Sequence, residues 1–295
     1  MCELLSGGFM TKSFDFSVQA VAQLAGADAA RALAEDIGSG DLTAALIEPT
    51  RQARARVLAR EDAVICGAAW VDAAFKQLDP AAELLWHVKD GEHCEANQVV
   101  FEVRAGAKAL LSAERTALNF LQLLSAVASK TAAYVAIVSG TDAKIVDTRK
   151  TLPGLRLAQK YAVRTGGGVN HRLGLYDAVL IKENHIAAAG GIAQVLQRAA
   201  QMAASADFVE IEVETLTQLA EALDAGARMV LLDNMELATL QQAVRINRGR
   251  AILEISGNVT LDGLRALAET GVHRISIGAL TKDVRATDFS MRLDA

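Results

Sequence analysis

From about residue 143 onward the chain repeats one pattern: a short apolar run, a polar cluster, then a segment long enough for a helix. The apolar runs are AKIVD (143–147), DAVLI (177–181), FVEIEV (208–213), MVLLD (229–233), AILEI (251–255) and RISIG (274–278), beginning roughly 20–35 residues apart. Apolar strands alternating with helices imply a parallel sheet with helical crossovers. The units share no sequence self-similarity, which excludes a solenoid. Each run ends on polar residues or glycine: Asp147, Arg149 and Lys150; Lys182, Glu183 and Asn184; Glu212 and Glu214; Asp233 and Asn234; Ser256, Gly257 and Asn258; Gly278 and Ala279. A doubly wound sheet gathers ligand chiefly at one switch point, whereas a β/α barrel uses the carboxyl ends of all its strands. Six contributing ends favour the barrel, and six readable strands make it shorter than the usual eight.

The first third reads differently. Residues 17–35 form an Ala-rich helical pattern, stopped by the loop Asp36–Asp41. Strand-like RARVLAR (54–60), AVICG (63–67), LLWHV (84–88) and VVFEV (99–103) follow, with a helix near 68–78. This is the pattern of a small mixed α/β domain. A long helix starts after Gly106 and runs to about Ser129, with a polar stripe of Lys108, Ser112, Arg115, Asn119 and Gln122 opposite Leu110, Ala117, Leu121 and Leu124.

Composition excludes several classes. A net charge of −5 and 4% aromatics offer neither a basic footprint nor a stacking platform for nucleic acid. No uncharged stretch reaches the ~18 apolar residues of a membrane span. The N-terminus carries Glu3 and lacks a basic region followed by an apolar one, so it does not read as a secretory signal. Cys2, Cys66 and Cys94 are odd in number and without CxxC spacing, which points to reduced thiols rather than a disulfide framework or zinc site.

The chemistry gathers at the strand ends. Arg149 and Lys150 follow the first barrel strand, succeeded by Lys160, Arg164, the triple glycine 166–168, His171 and Arg172. An isolated Arg-Lys pair is ordinarily a solvated loop. Five lysines and arginines with glycines suit a multiply anionic ligand, gripped by guanidinium forks and approached by bare backbone N–H groups. The glycines match neither GxGxxG nor a P-loop. Lys182 closes an apolar strand, either as a snorkelling structural residue or as a site cation. Glu210, Glu212 and Glu214 alternate with Val209, Ile211 and Val213 and therefore share one face. On an edge strand that face is merely solvated; in a barrel it is the lumen, where the carboxylates need cations or a metal. Lys182 and a divalent ion shared with Asp233 are the candidates, and oxygen ligands of this kind suit Mg²⁺ beside substrate phosphates. His87, His93, His185 and His273 lack metal-ligand spacing and read as structural. Together these groups describe a site for a phosphorylated sugar and an acidic co-substrate.

The motifs resemble those of the quinolinate phosphoribosyltransferases, the carboxylating pentosyltransferases of NAD biosynthesis. The matching segments are EDIGSGDLT (35–43), ERTALNFLQLLS (114–125), DTRKTLPGLRLAQKYAV (147–163), GGGVNHRLGLYDAVLIKENHI (166–186), VEIEVET (209–215), LLDNM (231–235), EISGNV (254–259) and ISIGALT (275–281). The resemblance implies an N-terminal α/β sandwich over 1–118, joined by the C-terminal tail 286–295, and an incomplete, six-stranded β/α barrel over 119–285. It implies conversion of quinolinate and phosphoribosyl pyrophosphate to nicotinate mononucleotide, pyrophosphate and CO₂ with Mg²⁺, in a cytoplasmic homodimer with shared active sites. Family roles fall on Arg149, His171, Arg172 and Lys182 for quinolinate, with Arg115 reaching in from the neighbouring subunit. Lys150 and Lys182 border the pyrophosphate. Glu212 and Asp233 take the ribose hydroxyls and the metal, directly or through water. Ser256, Gly257, Asn258, Gly278 and Ala279 cradle the 5′-phosphate. Lys182, Glu212 and Asp233 form the implied catalytic set. Nicotinate phosphoribosyltransferase is the nearest rival on the same fold, and the surplus of cations favours a dicarboxylate over its monocarboxylate.

Overall fold

The computed structural model of the chain describes residues 14–257 and 259–294. Asn258, Cys2 and the N-terminal segment carrying the signal-peptide reading lie outside the described residues. The chain divides into two compact units, one made of Phe16–Ser139, Ile145–Asn170 and Ile277–Ala295, the other including Gly140–Lys144 and His171–Ser276.

The first unit holds strands β1 (Gln52–Ala59), β2 (Ala63–Val64), β3 (Glu83–Trp86), β4 (His93–Cys94) and β5 (Val99–Gly106), with helices α1 (Val18–Ile37), α2 (Ala68–Leu78) and α3 (Ala107–Val138). A final strand, Phe289–Leu293, pairs antiparallel with β1, giving a four-stranded sheet with β5 and β3 beyond. Alternation decides which face is which. Ala55, Val57 and Ala59 of β1 point into a core with Val71, Phe75, Phe101, Leu110 and Leu121. Arg54 and Arg56 point out, pairing with Glu102 and Asp294. Trp70, fully buried on α2, donates its indole N–H to Asp28 Oδ2 of α1 at 2.9 Å, so burial of the ring leaves no orphan donor.

Helix α3 is long and apolar enough to cross a membrane, with an 18-residue window of mean hydropathy 1.5. Its Leu110, Leu121, Leu124 and Val127 are instead fully buried in protein. The expected domain boundary at 118–119 falls inside this helix. The helix also runs nine residues beyond the end read from sequence at Ser129, since nothing between Ser129 and Ser139 breaks it.

The barrel strands are β6 (Lys144–Val146), β7 (Val179–Ile181), β8 (Val209–Val213), β9 (Met229–Asp233), β10 (Ile252–Ser256) and β11 (Arg274–Ser276). They form a six-stranded sheet in the order β6-β11-β10-β9-β8-β7, an incomplete β/α barrel with β6 and β7 at its edges. The register sets layers of neighbouring side chains. Glu212, Leu231, Glu254 and Arg274 lie side by side across β8 to β11, and Asp233 is aligned with Ser256 one layer further on. The alternate residues, such as Ile211, Val213, Leu253, Ile255 and Ile275, are buried on the other face. The apolar set of β8 therefore takes the face opposite its glutamates, as a barrel requires.

Candidate active site

In the barrel unit, Lys182 sits immediately after β7 and Glu212 near the end of β8. Lys182 Nζ donates to Glu212 Oε2 at 2.8 Å. The lysine side chain is 44% exposed and the glutamate 11%, so the cation faces outward over a carboxylate held in the wall. The Lys182 backbone N–H donates to His185 Nδ1, which fixes the strand-to-helix turn and gives that histidine a structural role. His273 likewise accepts the Leu253 N–H. Asp233 closes β9 beside Ser256. Gly257 stands at φ +107°, with a Cβ placed there 3.0 Å from the Asn234 backbone, so only glycine fits where these two loops meet. Glu214 lies past the strand end, exposed, its N–H bonded to Gln218.

Glu210 is partnered differently from the sequence expectation. It is fully buried, and its Oε2 lies 2.9 Å from His171 Nε2 rather than on Lys182. Burial pushes its carboxyl up to about 7, against the pull of Arg274 and Arg172. Glu254, also fully buried, is pushed up by desolvation and by the Glu210 charge, and its Oε2 accepts from Arg274 Nε at 2.6 Å. Sequence reading passed over Glu254 and Arg274. A lone glutamate inside the apolar run AILEI, aligned with an arginine on the next strand, was the available signal.

In the other unit, β6 delivers Asp147, followed by Arg149 and Lys150. Asp147 and Lys160 form a completely buried ion pair, and Asn170 Nδ2 donates to Asp147 Oδ2 at 2.6 Å. Lys160 is therefore a structural counter-ion and not part of an anion grip. Arg164 is exposed, with its guanidinium 5.1 Å from the centre of the Phe16 ring. The triple glycine also has a different purpose from the expected anion cradle. The amides of Gly166, Gly167 and Gly168 donate to Ala162, Arg164 and Val163 carbonyls, ending the helix α4 (Arg156–Thr165). A Cβ at Gly166 would stand 2.3 Å from the Ala128 carbonyl, and one at Gly168 2.8 Å from the Thr131 side chain. The glycines are there for close packing against α3.

Arg149 is half-buried, and its Nε is buried without a hydrogen-bond partner among the described residues. A buried orphan donor on arginine is costly unless a ligand supplies the acceptor. Lys150 is exposed and lies against Gly278, where an added Cβ would meet its Cδ at 2.9 Å, while its carbonyl accepts from Thr281 Oγ1. Arg115 is exposed on α3, and Ser112 of the same stripe donates to Asp41 Oδ2 at 2.7 Å.

Within the barrel unit, Lys182, Glu212 and Asp233 stand at the carboxyl ends of three neighbouring strands, the face on which a β/α barrel enzyme carries its active site. The comparisons with known proteins narrow this class. Residues 41–125 match the N-terminal domain and 127–292 the C-terminal domain of the quinolinate phosphoribosyl transferase family. The chain is 44% identical to a nicotinate-nucleotide pyrophosphorylase (carboxylating) of Mycobacterium leprae, over 89% of this chain and 95% of that protein. It is 42% identical to a probable enzyme of the same name from Bacillus subtilis, over 87% and 89%. The solved nicotinate-nucleotide pyrophosphorylase of Francisella tularensis has a TM-score of 0.89 at 43% identity, covering 92% of this chain and 97% of that one. The chain belongs to the quinolinate phosphoribosyltransferase family.

Proposed function

We propose that the chain transfers the phosphoribosyl group of phosphoribosyl pyrophosphate to the ring nitrogen of quinolinate and releases the adjacent carboxylate, giving nicotinate mononucleotide, pyrophosphate and CO₂. The observation that carries this reading is the Lys182–Glu212 pair at the ends of β7 and β8, with Asp233 on the next strand.

Breaking the bond from ribose C1 to oxygen sends its electron pair to pyrophosphate and leaves an oxocarbenium-like sugar. Lys182 and Lys150 stabilise the departing polyanion, and Glu212 and Asp233 the cationic sugar and its hydroxyls. The pyridine nitrogen lone pair forms the new bond, making a pyridinium. The carboxylate beside that nitrogen then leaves as CO₂. Its electron pair stays on the ring carbon, stabilised by the adjacent positive nitrogen until the carbon takes a proton, so no organic cofactor is needed. Arg149, Arg172 and Lys182 hold the quinolinate carboxylates, and the orphan Nε of Arg149 is suited to that task. Ser256, Gly257, Asn258, Gly278 and Ala279 take the 5′-phosphate. Positioning and electrostatics supply most of the effect.

Hard oxygen donors on neighbouring strands, with one Glu212 oxygen held by Lys182, fit Mg²⁺ bound through Glu212 and Asp233, directly or through water. When bound, the ion would neutralise pyrophosphate charge. We further place the enzyme in the cytosol as a homodimer in which Arg115 serves the neighbouring subunit's quinolinate. The exposed Arg115, and Leu42 and Leu46 at 88% and 83% exposure, support a covered face. The free, buried Cys66 and Cys94 accord with a reducing compartment.

The test is a product assay with carboxyl-labelled quinolinate, phosphoribosyl pyrophosphate and Mg²⁺. CO₂ and nicotinate mononucleotide should appear one to one, with nicotinate a poor substrate. Efficient use of nicotinate without CO₂ would overturn the reading.

A further inference from the structure

The loop between β6 and α4 carries Arg149 and Lys150, and its backbone belongs to neither strand nor helix. Buried polar side chains hold it instead. Gln159 and Thr281 are both completely buried. Gln159 Oε1 accepts the Leu152 backbone N–H at 2.8 Å, and its Nε2 donates to the Thr281 carbonyl at 2.9 Å. Thr281 Oγ1 donates in turn to the Lys150 carbonyl at 2.7 Å. A backbone N–H only donates and a carbonyl only accepts, so the side chain between Leu152 and Thr281 must do both, as a glutamine amide does. Helix α4 thus fastens the loop at each end, through Lys160 on Asp147 and Gln159 on Leu152, and Thr281 holds its middle.

Thr281 lies on the short helix Ala279–Lys282, directly after Gly278. The stem of Lys150 lies against that glycine, where an added Cβ would meet its Cδ at 2.9 Å. The relay therefore joins two segments that the functional reading gives to one substrate: Lys150 to its pyrophosphate, Gly278 and Ala279 to its 5′-phosphate. Buried polar side chains are costly unless paired, and here both are paired to loop and turn backbone.

We propose that Gln159 and Thr281 are positioning residues for phosphoribosyl pyrophosphate: the relay Leu152–Gln159–Thr281–Lys150 locks the Lys150 loop to the Gly278–Ala279 turn at the separation that a ligand with phosphates at both ends requires. Neither side chain reaches solvent, so both act through Lys150 and the turn. Arg149 depends on Thr281 less directly, because its carbonyl accepts from the Thr151 N–H within the loop at 3.0 Å. Loss of the threonine hydroxyl therefore bears on phosphoribosyl pyrophosphate before quinolinate.

The proposal rests on the functional reading for its kinetic half only. The first measurement needs no substrate: amide hydrogen exchange of the protein, followed by NMR. Gln159→Met should speed exchange of the Leu152 amide about 10-fold or more, the order of one hydrogen bond lost. The Asp147 amide, bonded to the Val169 carbonyl, should keep its rate. An unchanged Leu152 rate would overturn the relay. The second measurement is steady-state kinetics. A binding group displaced by about 1 Å costs about 100-fold, and Thr281→Val, which keeps the shape and loses one bond, should raise the phosphoribosyl pyrophosphate KM by about 10-fold. The quinolinate KM should stay within about 3-fold, and Thr281→Ser, which restores the hydroxyl, should return the first KM to within about 2-fold of wild type. If Thr281→Val does not fold, Thr281→Ala removes the same hydroxyl and is held to the same values. Equal losses in both KM values, or no recovery with serine, would reduce the pair to general structural support and refute the proposal. A wild-type protein that makes no nicotinate mononucleotide would sink the functional reading, and the kinetic half with it, while the exchange result decides the relay by itself.

Discussion

Lys160→Met isolates what the buried Asp147–Lys160 pair contributes. Both side chains are completely inaccessible, and Asp147 also receives the Asn170 amide at 2.6 Å. Methionine fills most of the lysine stem's volume, so the change removes charge far more than packing. It strands a carboxylate in the interior, and breaking one side of such a pair costs about 3–5 kcal/mol. The Asn170 contact keeps the cost toward the lower end. At roughly 2–4 °C per kcal/mol for a chain of this size, the apparent melting temperature should fall by roughly 6–20 °C. Circular dichroism at one fixed scan rate measures it. The control is the double variant Lys160→Met with Asp147→Asn, in which the amide oxygen still accepts from Asn170 and no bare charge remains. It should melt well above the single variant. A single variant within about 1 kcal/mol of wild type, or a double variant no better than the single, would refute the reasoning.

The remaining predictions concern packing, titration and assembly. Gly166→Ala should cost about 1–3 kcal/mol through overpacking against Ala128, whereas Gly263→Ala, in the open on the helix Leu261–Ala268, should stabilise by about 0.5–1 kcal/mol; thermal unfolding of the two variants checks both signs. Burial holds the Asp90 carboxyl above its ordinary value despite hydrogen bonds from Gly67, Ala68 and Tyr161. Between its unfolded and raised folded pKa the native chain binds more protons, so Asp90 lowers stability as pH rises through that window, and Asp90→Asn should flatten the slope there in pH-dependent denaturant titrations. Inactive Arg115→Ala and Lys182→Ala proteins, mixed so that subunits exchange, should regain part of the activity, because one site collects both defects and the other neither. No recovery after exchange confirmed by mass spectrometry would show that Arg115 serves its own subunit.

The barrel was legible because strand burial leaves a strong mark: all six apolar runs became strands within a few residues of their expected ends. The pairing of Lys182 with Glu212 was legible as a cation closing one apolar run beside a strand whose glutamates alternate onto a single face. Charge alone could not tell Lys160 from Lys150, because both follow Asp147 closely and only the turn of α4 buries the first while leaving the second exposed. The triple glycine misled in a similar way. A glycine needed for a 2.3 Å approach of helix backbone looks the same in sequence as one that bares an amide to phosphate. The strand Phe289–Leu293 was missed as a strand because its partner β1 lies over two hundred residues earlier, and its outward Arg292 breaks the apolar run.

The central claim is that reaction occurs at the strand ends carrying Lys182, Glu212 and Asp233, and turnover of Lys182→Ala tests it most directly. The side chain is 44% exposed and bonded to Glu212, so its removal leaves the core intact and an unchanged circular dichroism spectrum is expected. Losing one preorganised contact to the developing charge should lower kcat by about 100-fold or more. Wild-type turnover of quinolinate by a folded Lys182→Ala protein with Mg²⁺ present would place the chemistry elsewhere and contradict the account.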